Sequence, residues 1–207
     1  MTAIGAEVRA YLEREHDGAP ARVVVAERTY PTTVDDLWDA VTNPARLPRW
    51  FLPVEGELKL GGRYQLIGNA GGTITRCDRP DALDLTWEFG GGKSWVTVRL
   101  TPDGGGARLV LEHIFLASDA DEHWAKYGPA AVGVGWDLAF MGLGLHLADP
   151  AAPSPPEASA EWQSSEAAKT IMRDSAAAWA AAHIAGGGDP VVAKAMAQRT
   201  AEFYTGG

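Results

Sequence analysis

Apolar residues recur along this chain with two different periods, and the switches between them divide it into segments. Ile4, Val8, Tyr11 and Leu12 fall on one side of a short helix within residues 1–16, which Asp17-Gly18-Ala19-Pro20 would break. Arg22–Arg28, with three consecutive valines, predicts a first strand. Thr33 and Asp36 resemble a capping box with Asp in place of the usual Glu or Gln. Behind them Val34, Leu37, Trp38 and Val41 make one apolar helical face. Asn43-Pro44 stops that helix and starts a short turn toward Trp50.

From Val54 to Leu116 the period is two. The predicted strands are Val54–Leu60, Arg63–Gly68, Thr73–Cys77, Leu83–Phe89, Ser94–Leu100 and Arg108–Leu116. Glycine clusters separate them, supplying the positive φ angles that tight hairpins need, so the segment reads as an antiparallel meander. Leu83, Leu85, Trp87 and Phe89 share one face with Val96 and Val98, and with Leu109, Leu111, His113 and Phe115. The alternate positions are polar, as expected of a sheet with one buried and one wet face.

After a short helical stretch at Asp121–Tyr127, Ala130–Ala148 carries two apolar stripes. One is Val132, Trp136, Phe140, Leu143 and Leu147, the other Val134, Leu138, Met141 and Leu145. A helix apolar on two sides must be covered on two sides. The sheet supplies one cover; an alanine-rich segment with Ile171, Met172, Ser175 and Trp179 at helical spacing supplies the other. Asp189-Pro190 opens a last helix containing Val192, Met196 and Phe203. The plan is an N-terminal helical segment (1–21), a main domain (22–148), a Pro-rich linker (149–160) and an Ala-rich helical extension (161–207) packed on the long helix.

Composition narrows the function classes. With 46% hydrophobic and 22% charged residues the chain can bury a core. Its formal charge of -9 argues against nucleic acid or an anionic membrane as partner. Charged residues in the first twenty positions interrupt any signal or membrane segment, so a cytoplasmic location is expected. Cys77 is the single cysteine, which excludes an intramolecular disulfide. The five histidines lack metal-ligand spacing, and neither a metal nor another cofactor is expected.

Two glycine motifs fail on context. Gly92-Lys93-Ser94 lacks the leading glycine of a phosphate loop and runs into a strand. Gly133-Val134-Gly135 lacks both the third glycine and a preceding strand of a dinucleotide fingerprint; its glycines are expected to let the helix approach the sheet closely. His113, on an inward strand face, either orients a ligand or acts as acid or base, or is a core imidazole satisfied by a neighbour; the pairing rule for buried polar groups favours the last. Asp137, between the stripes of the long helix, either meets Arg76, Arg99 or a ligand, or faces water near the helix N-terminus; the solvent-facing reading is the plainer one.

The stretches VDDLWDAVTNPARLPRWFLP, LGGRYQL, LDLTWEF, LVLEHIF and GWDLAFMGLGLHL, in that order, resemble the SRPBCC or START-like superfamily. Within it they are most similar to homologues of the activator of heat-shock protein 90 ATPase. The resemblance implies an α+β helix-grip fold: a curved seven-stranded antiparallel sheet wrapped around a long C-terminal helix, here with an extra helical extension. It also implies a cavity between sheet and helix, bordered at its mouth by Trp50 and Phe51. Tyr64, Trp87, His113, Trp136, Asp137 and Phe140 complete the expected ligand-binding set. The expected function is binding of a small hydrophobic or aromatic molecule. A cyclase- or dehydratase-like enzyme using His113 is the alternative, and a chaperone-regulating module a third. The eukaryotic activators carry a further N-terminal domain, whereas only about 20 residues precede the first strand here. A second copy of the chain and a chaperone ATPase are the protein partners left open.

Overall fold

Residues 7–117, 122–151 and 160–206 are described by the computed structural model. Among them, eight strands form one antiparallel sheet: β1 Val8–His16, β2 Ala19–Tyr30, β3 Val54–Gly56, β4 Arg63–Leu66, β5 Gly71–Asp78, β6 Ala82–Phe89, β7 Gly92–Asp103 and β8 Gly106–Leu116. Their spatial order is β1-β2-β8-β7-β6-β5-β4-β3, so β3 to β8 form a meander and β2 closes against its last strand. The helices are α1 Val34–Thr42, α2 Glu122–Tyr127, α3 Ala130–Ala148, α4 Ala160–Ser164, α5 Glu166–Ala185 and α6 Pro190–Thr205. A 3₁₀ turn, Leu47–Arg49, follows α1.

The N-terminal segment is a strand, not a helix, and the sheet has eight strands rather than seven. Asp17 and Gly18 both take positive φ (51° and 78°), the backbone of a tight two-residue hairpin, which pairs Val8–His16 with Ala19–Glu27. The helical spacing of Val8, Tyr11 and Leu12 is overridden by the hairpin: Tyr11 is buried on one face of the strand, while Val8 and Leu12 are exposed on the other. Charges at Arg9, Glu13, Arg14 and Glu15 suit an edge strand, where they discourage pairing with other chains. Ile4 and linker positions 152–159 lie outside the described residues.

Local chemistry explains the other departures. Thr33 caps α1, its hydroxyl accepting from the Asp36 amide at 3.2 Å, but the capping box closes on one side only. The shorter Asp36 carboxylate instead accepts from Thr32 and from Arg46. The strand expected to run to Leu60 ends at Gly56, whose φ of 112° turns the chain where a Cβ would meet the Arg63 carbonyl. Asp189 caps α6 ahead of Pro190, accepting from the amides of Val191 and Val192.

α3 is covered on both sides. Phe140 and Leu143 pack onto inward residues of β2, β7 and β8, and Val134 packs against Ala168, Met172 and Ala176 of α5. It is long and apolar enough to suit a membrane span, but most of it is buried as a core helix. Gly133 faces α5, not the sheet: a Cβ there would lie 2.3 Å from the Trp179 indole. Gly133→Ala is therefore expected to destabilise by about 1–3 kcal/mol, since overpacking outweighs a gain of up to ~1 kcal/mol in helix propensity. Chemical denaturation followed by circular dichroism checks the sign. The extension also meets the first strand: the Tyr11 ring lies edge-on to His183 of α5 at 4.7 Å, and Gly186 allows the Tyr11 carbonyl to approach.

Candidate functional site

Between the curved sheet and α3 lies a cavity of about 160 Å³. Strand alternation builds its floor: Leu83 and Leu85 of β6, Val96 and Val98 of β7, and Leu109 and Leu111 of β8. The register pairs Leu83 with Val98 and Val98 with Leu111, so these side chains form a continuous aliphatic layer. α3 supplies Trp136, Phe140 and Leu143 as the roof; Val41, Leu47, Trp50 and Phe51 close one end. Phe51 stacks on Trp50 at 5.4 Å (interplanar angle 25°) and on Trp136 at 6.1 Å (24°), so three rings line the cavity side by side.

The polar atoms of this wall point elsewhere for their hydrogen bonds. Trp50 Nε1 donates to the Ala40 carbonyl at 3.0 Å, the Tyr64 hydroxyl to the Thr86 carbonyl at 2.8 Å, and the Thr42 hydroxyl to the Trp38 carbonyl at 2.7 Å. Burial pushes the Tyr64 phenol well above its ordinary range, so it stays neutral. Cys77 lines the cavity as a free thiol and is exposed. What the interior offers a guest is carbon.

Six of the expected ligand-binding residues border this cavity: Trp50, Phe51, Tyr64, Trp87, Trp136 and Phe140. His113 stands behind it. Trp136 Nε1, a donor only, gives its proton to His113 Nδ1 at 3.2 Å. The His113 Nε2–H therefore donates to Ser94 Oγ at 2.9 Å, and Ser94 passes its own proton to the Trp87 carbonyl at 3.1 Å. Both ring nitrogens are engaged, and burial lowers the imidazole pKa to about 3. A neutral, doubly hydrogen-bonded ring of this kind has no proton to exchange with a substrate near neutral pH. The ring belongs to the wall of a second cavity, about 420 Å³, near the β6–β7 turn and α2, lined also by Arg22, Lys93 and Trp124.

Asp137 is in neither cavity. It is fully buried on the opposite side of α3, which corrects the solvent-facing reading. Its Oδ2 accepts from Arg9 Nε at 2.9 Å, from Ser175 Oγ and from Trp179 Nε1 at 3.1 Å. Arg9 also pairs with Glu7 at 3.1 Å, and Glu7 with Arg28 at 2.7 Å, so two acids and two bases share one dry region. Burial raises the Asp137 carboxyl above the ordinary range against the pull of Arg9. The partners once considered for it are used locally: Arg76 pairs with Asp78 and Arg99 with Asp84. Asp137 ties β1, α3 and α5 together. No group of three or more His, Cys, Asp or Glu is placed to hold a metal among the described residues.

The floor residues Leu83, Leu85, Val96, Val98, Leu109 and Leu111 were legible as one inward face, but nothing in that pattern separates the lining of a void from packed core. Volume is a property of the assembled fold.

A sheet closed on one long helix over an apolar hollow defines a helix-grip protein. The chain belongs to the Activator of Hsp90 ATPase homolog 1-like protein family, which it matches over residues 31–148. Among solved structures it is similar to CalU16 from Micromonospora echinospora. The solution NMR structure of that protein is 34% identical over 90% of this chain and 100% of CalU16, with a TM-score of 0.73. The crystal structure of the same protein aligns at 32% identity over 86% and 98%, with a TM-score of 0.68. DynU16, a protein of the dynemicin biosynthetic locus, shares the fold at 21% identity and a TM-score of 0.55, over 65% of this chain and 50% of its own. No curated protein matches the chain.

Proposed function

We propose that this protein binds a small uncharged apolar molecule, aromatic in its buried part, in the hollow between the sheet and α3. The observation that carries the proposal is the carbon-lined cavity of about 160 Å³. Unfilled space of this size costs about 4 kcal/mol, at ~24 cal/mol per Å³, relative to a packed core. A pocket lined by Leu, Ile and Phe of about 150 Å³ stays dry and accepts benzene. The flat Trp50, Phe51 and Trp136 rings in the wall suit a flat guest. Charged ligands are disfavoured, because no ionised group among the described wall residues would offset their desolvation. The reading of His113 as catalytic acid or base has no support in its hydrogen bonding.

Titration with indole, followed by thermal unfolding, tests this. Saturation to 100 times the dissociation constant is expected to add about 2.7 kcal/mol, or roughly 5–10 °C. Val98→Phe, which puts a ring into the hollow, is expected to weaken indole at least ~10-fold while leaving the circular dichroism spectrum intact. A flat response to indole in the unaltered protein, or undiminished binding in the variant, would overturn the proposal.

A further inference from the structure

The cavity just described does not end at its aromatic wall. On the other side of Trp50, Phe51 and Ala139 lies a third hollow, of about 450 Å³, between the outer face of α3 and the C-terminal helices. Gly135, Leu138 and Gly142 of α3 form its base. Trp162 and Gln163 of α4, Met172 of α5 and Tyr204 of α6 form its walls, with Asn69 from the β4–β5 turn at the rim. The two hollows thus share Trp50, Phe51 and Ala139 as lining residues.

The Trp50 indole is anchored by its hydrogen bond to the Ala40 carbonyl. The Trp50 backbone sits so close to α3 that a Cβ on Gly142 would lie 2.7 Å from its carbonyl oxygen. Trp136 is held through His113. Phe51 has its amide bonded to the Leu47 carbonyl at 2.8 Å, while its ring makes no hydrogen bond and is held by stacking on Trp50 and Trp136 and by packing against the Tyr64, Leu66 and Ile74 cluster.

Resting on the binding function proposed above, we infer that the ligand has two parts, with Phe51 as the gate between their chambers. A group about one ring wide occupies the inner cavity, and a larger ring system bearing hydrogen-bonding substituents occupies the outer chamber. The inner space alone holds little more than a single ring, whereas both together reach the few hundred Å³ usual for small-molecule sites. Among the described residues the outer walls contain no charged side chain but do contain Asn69, Gln163 and Tyr204, which favours a neutral, polar-substituted group there. Asn69 spends its side-chain oxygen on the Ala70 amide at 2.7 Å, so its contribution is a donor NH₂; the Tyr204 hydroxyl donates to the Ala131 carbonyl at 2.9 Å and can accept. On this account the C-terminal helices form half of the binding site.

Two probes separate the chambers: indole for the inner one, and N-phenyl-1-naphthylamine, two aromatic parts joined by an NH, for both. Leu138→Trp fills the outer chamber from its base, and Gln163→Trp fills it from an exposed position where folding is not at risk. Either change is expected to weaken N-phenyl-1-naphthylamine at least tenfold, read by its fluorescence, while indole binding stays within twofold. Phe51→Ala is expected to speed association of the larger probe. Undiminished binding of the larger probe in the Gln163→Trp protein, with indole still binding, overturns the two-chamber inference and leaves the inner site standing. Failure of both probes in the unaltered protein overturns both.

Discussion

A chain ending at residue 159 is expected not to reach the folded state. Without α5 and α6, Val134 and Leu138 of α3 lose the Met172, Ala176 and Ala197 surface that buries them. The groove over Gly133 would be left without Trp179, which is fully buried there. Asp137 would lose the Ser175 and Trp179 donors and keep Arg9 alone, a carboxylate with two of its three donors gone. Breaking such a network typically costs ~3–5 kcal/mol, against a total stability of about 5–15 kcal/mol. Trp179→Ala is the graded version: about 3–5 kcal/mol from lost burial, with the Asp137 hydrogen bond in addition. Circular dichroism and urea unfolding of both proteins check the expectation. A truncated chain that unfolds cooperatively with native-like spectra would show that the helix-grip portion stands without its extension.

Much of this architecture is written in short-range pattern. The alternation in Leu83–Phe89 and Ser94–Leu100 places both strands and most of their inward faces, because period two has no competing explanation when glycine pairs flank it. Phe89, expected inward, is 61% exposed at the β6–β7 turn, where the strand leaves the core. The caps at Thr33 and Asp189 are likewise local, since each needs only a side-chain oxygen two or three residues from an unpaired amide. The first strand is not so plainly marked. Val8, Tyr11 and Leu12 have helical spacing and fall on opposite faces of the strand, and the arbiter is the Asp17-Gly18 turn, whose hairpin geometry outweighs its reading as a helix breaker.

That one reassignment moves Arg9 onto an inward-facing strand position and so decides the environment of Asp137, 128 residues away. Nothing beside Asp137 in the sequence announces the partnership, because its neighbours Trp136 and Leu138 are apolar whichever way the carboxylate points. His113 is the converse case. Its inward position was legible, but the Trp136 and Ser94 partners that neutralise its chemistry come from another helix and another strand. Cavity and gate depend on how closely Gly142 lets the Trp50 segment approach α3, a distance that no residue pattern encodes.

Acidification is expected to unfold this protein in a way that His113 controls. The imidazole titrates near 6.5 when unfolded and near 3 when folded, because burial penalises its charged form. Between those values the unfolded chain binds the extra proton, so stability falls as the pH drops below about 6.5. At pH 5 the loss from this one group is about 2 kcal/mol, and below pH 3 it reaches about 4–5 kcal/mol. Burial lowers His146 and His183 as well, and both act in the same direction. Asp137, raised by burial, opposes them, since it takes up its proton more readily in the folded state. Comparison with His113→Gln cancels these other groups. The variant is expected to be less stable at pH 7.5, by about 1–3 kcal/mol from the disturbed Trp136–His113–Ser94 chain. Between pH 7.5 and pH 5 that deficit is expected to shrink by about 2 kcal/mol, because glutamine has no proton to bind. Urea unfolding at the two pH values measures the deficit directly. Equal losses in both proteins would mean that the His113 ring is accessible to water when folded, and that the hydrogen-bonded wall behind the cavity is open.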